Sequence, residues 1–415
     1  MSNLKGNTGY GEVFATYWMA YCVIASFSSV YLLANGYSNT EIGLLIAIGN
    51  LVSVVIQPVA ANLADRSAKT NVFEIAALMT VLILLSQGML LLVHGRSLIL
   101  FSAYLIMFAV HAAMQPLLNS VNQTMLQRGV TVDYGCCRAM GSLGYAVIST
   151  ALGMMVIRFS VVSLPIAGEF VTVLLLAGLL FLNRVYKNAD PAKARKPVCK
   201  ADQKEPISMG DFVKRHRIFL VMTGGIFLIF YDHQIINFFM LQLFQNVGGG
   251  STQLGTYYSI MTILEIIPLV GFTWLTRRFS TSFLLKLATI GFVLRAVLML
   301  AAHTPMLLML TLAVHPIGFP LFLPTIVKYI NEIMDEGEAV RGQSTYVMVI
   351  TISGVVASAT GGIVLDTLGA NMLLWICAIT CLIGAAVILP LVEKARHEKA
   401  VPAVGSSNAH MVAVS

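Results

Sequence analysis

Apolar stretches of about 20 residues, separated by short polar breaks, follow one another along nearly the whole chain. A stretch of this length, wound as an α-helix, spans the hydrocarbon core of a bilayer, which is roughly 30 Å thick. The composition agrees, because 57% of the residues are hydrophobic and 11% are charged, whereas a soluble domain has about 25% charged residues. These features predict an integral membrane protein and argue against a soluble enzyme.

Two sets of six apolar stretches predict twelve membrane-spanning helices. Between the sets, residues 184–216 are highly charged and contain three prolines, which predicts a solvated cytoplasmic linker. Residues 393–415 end in a small, polar run, and we expect them to form a disordered cytoplasmic tail. The predicted fold is an all-α membrane protein with one six-helix bundle in residues 1–183 and a second in residues 217–392. The predicted spans are 13–33, 41–61, 73–93, 98–121, 138–157, 161–183, 217–241, 253–276, 282–302, 305–327, 344–365 and 370–392.

The positions of the Lys and Arg residues predict the orientation of these helices. With the N-terminus inside, the opposite side holds Arg96 and Arg158, while Arg138 and Arg295 fall within spans. The rest of the 26 Lys and Arg residues lie on the side of the N-terminus. Because basic residues resist translocation, this asymmetry predicts that both termini are cytoplasmic.

Two short similarities between the halves indicate an internal repeat. The pattern His-x4-Pro-Leu begins at His111 in the fourth span and again at His315 in the tenth. Residues 38–43, before the second span, are echoed by residues 250–255, before the eighth. Two pseudo-symmetric bundles with a substrate site between them at mid-membrane are typical of carriers that work by alternating access.

Several ionisable residues are predicted to lie inside the membrane, where each costs about 2.5 to 3.5 kcal/mol on insertion scales and so requires a partner or a function. Asp232, Glu265, Arg295 and His315 fall in spans 7 to 10, and we interpret them as a proton-coupling group. The alternative is a static buried ion pair, for instance between Glu265 and Arg295. Further ionisable residues within spans are Arg138, Glu169 and His233.

The fifth span contains a second candidate group. The Arg138 guanidinium suits bidentate recognition of hydroxyls or a carboxylate, although it could instead cap the start of its helix. Tyr145 lies two turns further on the same face, where its ring could stack on a sugar or serve only for packing. In the fourth span, Asn119 either faces a cavity or approaches the loop.

The spacing of Arg138 and Tyr145 among Gly135, Gly141 and Gly144 resembles the sugar-binding stretch of the lactose permease branch of the major facilitator superfamily, whose members are oligosaccharide:proton symporters. Similar matches are spread over nearly all twelve spans. They include Asp232 in the seventh span, Glu265 in the eighth, Arg295 near the position of a family Arg in the ninth, His315 in the tenth, and Asp65 and Arg66 in the loop after the second span.

The resemblance implies roles for several of these residues. Arg138, Tyr145 and Glu265 would bind substrate, Glu265, His315, Arg295 and Asp232 would couple protons, and Asp65 and Arg66 would belong to a conformational-switch loop. The polar side chains of Asn119 and His315 make these two residues further candidates for substrate binding. The chain departs from the permease pattern at Gly318, where the family has a Glu one turn after its His. It also has Asn119 and Ser120 where the family places an acid opposite the Arg.

We therefore predict a proton-coupled symporter in the plasma or inner membrane that takes up a small polar solute, first of all a sugar or oligosaccharide. The alternatives are an organic anion such as an aromatic carboxylate, a nucleoside, or export of a small molecule. The sequence contains no pattern of a metal site, a catalytic nucleophile or a phosphate-binding loop, so we expect no enzyme activity and no cofactor. The net charge of +7 follows the membrane topology, and we expect no nucleic-acid partner. The family resemblance implies a monomeric carrier.

Overall fold

A computed structural model of the chain describes residues 2–66, 71–189 and 208–400, and all regular secondary structure in these ranges is helical. Eleven helices are long and apolar enough to cross a membrane. A bent pair of helices at the N-terminus, with an angle of 42° between its members, makes twelve if it forms one span. The predicted all-α membrane fold is therefore confirmed.

Within its described residues, the first half of the chain contains seven helices and one π-helical turn. The first predicted span is the bent pair, and its helix begins well before the predicted start at residue 13. The elements are α1 (Ser2–Tyr21), the π-helical turn Cys22–Ser26, α2 (Ser28–Ala34), α3 (Asn39–Arg66), α4 (Val72–Leu92), α5 (Leu98–Leu126), α6 (Tyr134–Phe159) and α7 (Ser163–Lys187).

Residues 208–400, the described part of the second half, add eight helices and one 3₁₀ segment. The short helix α8 lies within the region predicted as linker, and α15 continues beyond the predicted end of the last span at residue 392. The rest of the predicted linker, 190–207, and of the tail, 401–415, lies outside the described residues. The elements are α8 (Met209–Arg215), α9 (Arg217–Asn246), α10 (Ser251–Arg278), α11 (Thr281–Leu300), α12 (Pro305–Leu310), the 3₁₀ segment Thr311–Ile317, α13 (Phe319–Ile333), α14 (Glu336–Thr367) and α15 (Gly369–Ala400).

Polar side chains fix where several of these helices begin. At the start of α4, the Asn71 side chain accepts a hydrogen bond from the Glu74 N–H at 3.0 Å, and the Glu74 carboxylate accepts one from the Asn71 N–H at 3.3 Å. At the start of α6, the Asp133 carboxylate accepts a hydrogen bond from the Cys136 N–H at 3.0 Å. Such caps satisfy N–H groups that have no partner within the helix.

The tenth predicted span is broken in its middle. Pro316 has no N–H to donate, and Gly318 adopts non-helical backbone angles before α13 resumes. The 3₁₀ segment packs closely on α11, because a Cβ at Gly291 would lie 2.8 Å from the backbone nitrogen of Gly318. Glycine at position 291 allows this approach, which places His315 directly against α11.

Each half of the chain packs mainly on itself. In the first half α1 contacts α6 and α7, α4 contacts α5 and α7, and α3 contacts α5. In the second half α9 contacts α14 and α15, and α11 contacts α13 and α15. The main contacts between the halves are α3 with α14 and α6 with α10.

These two contacts between halves depend on glycines. We call the end of the bundles where the linker attaches the linker end and the opposite end the far end. Toward the far end, a Cβ on Gly43 of α3 would overlap the carbonyl oxygen of Ser358 in α14, and a Cβ on Gly362 would overlap that of Asn39. The helix backbones therefore touch directly, as small residues allow in membrane proteins.

The two buried cores show where the halves separate. One core joins the first half to the far-end parts of the second half, including Tyr257 and Phe244. The other is built from linker-end parts of the second half, including Phe219 and Tyr329. The halves thus share a core at the far end and part from one another toward the linker end.

Candidate functional site

We call the space between the halves on the linker side of their contacts the cavity. On its far side the antiparallel helices α6 and α10 pack against each other. The hydroxyl of Ser259 in α10 bonds to the hydroxyls of Ser149 and Thr150 in α6, at 2.8 and 2.6 Å. The ring of Tyr145, one turn nearer the linker end than Ser149, meets the ring of Tyr258, the neighbour of Ser259, with the centroids 6.2 Å apart. This aromatic pair is the last closed layer before the halves part.

Arg138 and Glu265 lie on opposite walls at the next level. Arg138 is two turns before Tyr145 in α6, and Glu265 is two turns after Tyr258 in α10. Because the helices are antiparallel, both steps lead about 10 Å from the aromatic pair toward the linker end. The two charged groups therefore lie at similar depth, and they interact electrostatically across the cavity.

Glu265 begins a chain of hydrogen bonds that runs into the second half. His315 Nε2 lies 3.2 Å from Glu265 Oε1, and His315 Nδ1 lies 3.2 Å from an Arg295 Nη atom. Since arginine can only donate, Nδ1 must accept, and the proton of the neutral ring is on Nε2, from which it is donated to Glu265. Arg295 also donates to the hydroxyl of Tyr257. The predicted group of Glu265, His315 and Arg295 is thus in contact, but through His315 and not as a direct Glu265–Arg295 ion pair.

The solvent exposure of the three side chains shows which end of the hydrogen-bonded series is accessible from the cavity. The Glu265 side chain is 23% exposed, whereas that of His315 is fully buried. Arg295 is also buried, and its Nε has no hydrogen-bond partner among the described residues. Glu265 is therefore the member of the chain that faces the cavity.

Arg138 is held by aromatic rings. Its guanidinium carbon lies 4.4 Å from the ring centroid of Trp18 and 6.0 Å from that of Phe14. No residue in the described ranges forms a hydrogen bond or ion pair with the guanidinium. Asp133 caps the start of α6, so Arg138 does not serve as the cap.

Tyr145 and Asn119, the other two predicted substrate-binding residues of the first half, differ in their exposure. The Tyr145 hydroxyl lies 2.8 Å from that of Ser26, and its buried ring is covered by Tyr258. The ring thus belongs to the closing layer in this conformation and is not open to a stacking ligand. Asn119 is exposed, and its side-chain oxygen accepts a hydrogen bond from the Tyr134 hydroxyl at 3.2 Å.

Asp232 lies apart from the hydrogen-bonded chain. It is buried, and neither carboxyl oxygen has an N–H or O–H donor in the described part of the molecule. The thiol of Cys377 lies beside it, and Arg295 acts on it electrostatically. The adjacent His233 stacks on Phe319, with ring centroids 4.1 Å apart.

Sequence reasoning missed two residues of this site. Trp18 supports Arg138, and Tyr257 accepts a hydrogen bond from Arg295. Both contacts join separate helices, so no local pattern in the sequence signals them. The predicted switch residues Asp65 and Arg66 lie at the end of α3. Their backbone is helical, and their side chains lie outside the described residues. No group of three or more His, Cys, Asp or Glu suited to a metal ion occurs in the described ranges.

Solved structures of membrane transporters share this fold. A crystal structure of the nucleoside transporter NupG matches with a TM-score of 0.67 and 16% identity, over 96% of this chain and 98% of that chain. A POT family transporter in complex with a thioalcohol-conjugated peptide matches with a TM-score of 0.67 and 14% identity, over 96% of each chain. A bacterial homologue of the human lysosomal transporter Spinster matches with a TM-score of 0.61 and 12% identity, over 96% of each chain.

Two comparisons by sequence give different results. No curated protein matches the chain at a significant level. The profile of the "MFS_1 like family", however, matches residues 11–409, which is nearly the whole chain. The chain therefore belongs to the MFS_1-like family and is a membrane transporter of the major facilitator type.

Proposed function

We propose that the protein is a proton-coupled symporter that imports a small polar solute by alternating access, with a sugar or oligosaccharide as the first class to test. The observation that carries this proposal is the position of Glu265. It is the cavity-facing end of a buried chain through His315 and Arg295, and it stands opposite Arg138 on the other half. A carboxyl group in this position can contact both the solute and the proton.

The basic residues support an orientation for this structure in the plasma or inner membrane. Both termini and the linker would be cytoplasmic, because the linker end carries most of the Lys and Arg residues. The open linker end then faces the cytoplasm, and the closed far end faces outside. In this orientation the structure corresponds to the inward-facing state of a monomeric carrier.

The arrangement supports a specific coupling between proton and solute. An ionised Glu265 attracts Arg138 across the cavity, and a protonated one does not. A solute that binds both walls would replace this attraction and so stabilise the state in which they approach each other. A ligand shifts such an equilibrium only by binding that state more tightly than the others. The resemblance to the lactose permease branch agrees with these roles.

Two other solute classes each have an observation in their favour. The neighbouring rings of Trp18 and Tyr21 are partly exposed, and they favour a solute with a flat ring, such as a nucleoside. The Arg138 guanidinium has no acceptor in the described ranges, which favours an organic anion. Both classes are compatible with the same coupling group.

Uptake by proteoliposomes tests the proposal. The purified protein is reconstituted, and labelled sugars, nucleosides and aromatic and sugar carboxylates are offered with and without an imposed pH gradient. We expect one class to accumulate, and accumulation to depend on an inwardly directed proton gradient. Uptake that is insensitive to the gradient, or accumulation driven only by sodium, would contradict proton coupling.

A further inference from the structure

We propose that the solute is a sugar acid, held with its carboxylate on Arg138 and a hydroxyl on Glu265. This inference rests on the proposed function and narrows it. It follows from the partners, the placement and the net charge of the two groups that face each other across the cavity.

Arg138 is presented as a receptor for a planar anion. Its guanidinium lies 4.4 Å from the Trp18 ring centroid, so one face is covered by the indole. The N–H donors along its edge have no acceptor among the described residues. A carboxylate accepts two parallel hydrogen bonds from such an edge, a geometry that a single hydroxyl cannot reproduce.

Glu265 requires a different chemical group from the solute. One of its oxygens accepts the hydrogen bond from His315, and the side chain is 23% exposed to the cavity. An ionised carboxylate repels a second carboxylate but accepts hydrogen bonds from hydroxyls. Because Arg138 and Glu265 lie at similar depth on opposite walls, one solute with an acidic end and a hydroxylated end can contact both.

Polar groups beside Arg138 suit further hydroxyls. Asn119 is exposed one helix away, and its side chain is bonded to the hydroxyl of Tyr134, which interacts electrostatically with Arg138. These groups both donate and accept hydrogen bonds, as hydroxyls do. A hydroxylated solute can use the hydrogen-bonding positions that Asn119 and Tyr134 have left after bonding to each other, whereas an aromatic acid without hydroxyls cannot.

The charge balance of the buried group also favours an anion. Two arginines, Arg138 and Arg295, are matched by two acids, Asp232 and Glu265, when both acids are ionised. A proton taken up by either acid leaves one excess positive charge in a region where uncompensated charge is costly. A bound monoanion restores the balance, whereas a neutral sugar does not. The other titratable groups that interact with these residues are His233, His315, Tyr17, Tyr134, Tyr257, Tyr258, Cys377 and Cys381.

Binding measured in detergent tests this inference without a proton gradient. The probes are D-glucuronate and D-gluconate, with D-glucose as the neutral analogue and 3-phenylpropionate as a carboxylate without hydroxyls. We expect the two sugar acids to bind the purified full-length chain and to raise its melting temperature, with affinities at least about tenfold higher than those of the two comparison solutes. Equal or tighter binding of glucose or phenylpropionate, or no binding of either sugar acid, would overturn the inference.

Variants separate the Arg138 contact from a general effect of charge. Arg138→Lys keeps the charge but loses the planar edge, and Arg138→Gln loses both, so each should weaken D-glucuronate binding by about tenfold or more. Arg158→Gln is the matched control, because Arg158 is exposed at the far end of the same helix. Unchanged D-glucuronate binding in folded Arg138→Gln, confirmed by an unaltered melting temperature without solute, would overturn the assignment. If sugar acids bind but their uptake ignores a pH gradient, proton coupling fails and the solute class stands.

Discussion

The carboxylate of Asp366, at the far end of α14, accepts hydrogen bonds from both the backbone N–H and the hydroxyl of Thr40, each at 2.7 Å. It also accepts from the backbone and side chain of Asn39, at 3.2 and 2.8 Å. Asp366 thus caps the start of α3, a helix of the other half, and its negative charge lies at the positive end of that helix. Opening of the far end must break this cap.

Asp366→Asn should therefore favour opening of the far end. The amide keeps some hydrogen bonds but loses the charge, and we expect a cost of about 1 to 2 kcal/mol to the closed state. The measurement is labelling of Ser149→Cys, which is buried in the closed layer, by a membrane-impermeant maleimide, in a chain without native cysteines. Labelling should increase severalfold in the Asp366→Asn background.

Glu41→Gln is the matched control for this prediction. Glu41 is an acid at the same end, but it pairs with Arg96 of its own half at 2.8 Å. Labelling should stay at the level of the parent chain. Equal labelling in the Asp366→Asn chain and the parent would show that the cap does not hold the far end closed.

Gly43→Ala should disrupt the same end by steric overlap. The added methyl group would collide with the backbone carbonyl of Ser358, which cannot move without displacing α14. We expect a loss of about 1 to 3 kcal/mol in the stability of the closed state, visible as a lower melting temperature. Gly224→Ala serves as the control, because its Cβ meets nothing within 4 Å. A Gly43→Ala melting temperature equal to that of the control would contradict the close approach of α3 and α14.

Trp18→Leu should weaken solute binding through Arg138. A cation–π contact contributes about 0.5 to 2 kcal/mol, so affinity should fall by roughly twofold to thirtyfold, with a smaller loss for Trp18→Phe. Binding is measured in detergent with the solute that the uptake panel identifies. Trp274→Leu should leave affinity unchanged, because Trp274 is 59% exposed on the surface of α10. Parallel losses in both variants would point to general destabilisation.

Tyr257→Phe should impair coupling more than binding. It removes the acceptor that helps to orient Arg295, while leaving Glu265 and Arg138 in place. We expect gradient-driven accumulation to fall severalfold while solute affinity changes by less than about threefold. Tyr10→Phe is a control that removes a buried hydroxyl from the first half, where it bonds to the Leu118 carbonyl. A loss of affinity as large as the loss of accumulation would place Tyr257 in solute binding.

The sequence predicted the features that follow from membrane insertion alone. Apolar length located the spans, and the cost of buried charge identified Glu265, Arg295 and His315 as a group. The sequence did not predict which of the three residues contact each other. Glu265 and Arg295 are separated by His315, and His315 reaches this position because of the 3₁₀ break in the tenth span. Pro316 and Gly318 signal this break only in retrospect.

Contacts between distant parts of the chain escaped prediction for a different reason. Helical periodicity shows which residues share a face, but not which helix covers that face. The support of Arg138 by Trp18, the covering of Tyr145 by Tyr258 and the cap of Asp366 on Thr40 all join separate helices.

The most direct test of the claim that Glu265 couples solute to protons compares two transport modes of Glu265→Gln in proteoliposomes. The solute is the one that the parent chain accumulates in the uptake experiment. Exchange of labelled for unlabelled solute needs no proton cycle, whereas accumulation against a gradient does. We predict that Glu265→Gln retains measurable exchange and loses pH-driven accumulation, while Glu169→Gln, an acid on α7, keeps both. Undiminished pH-driven accumulation by Glu265→Gln would contradict the account.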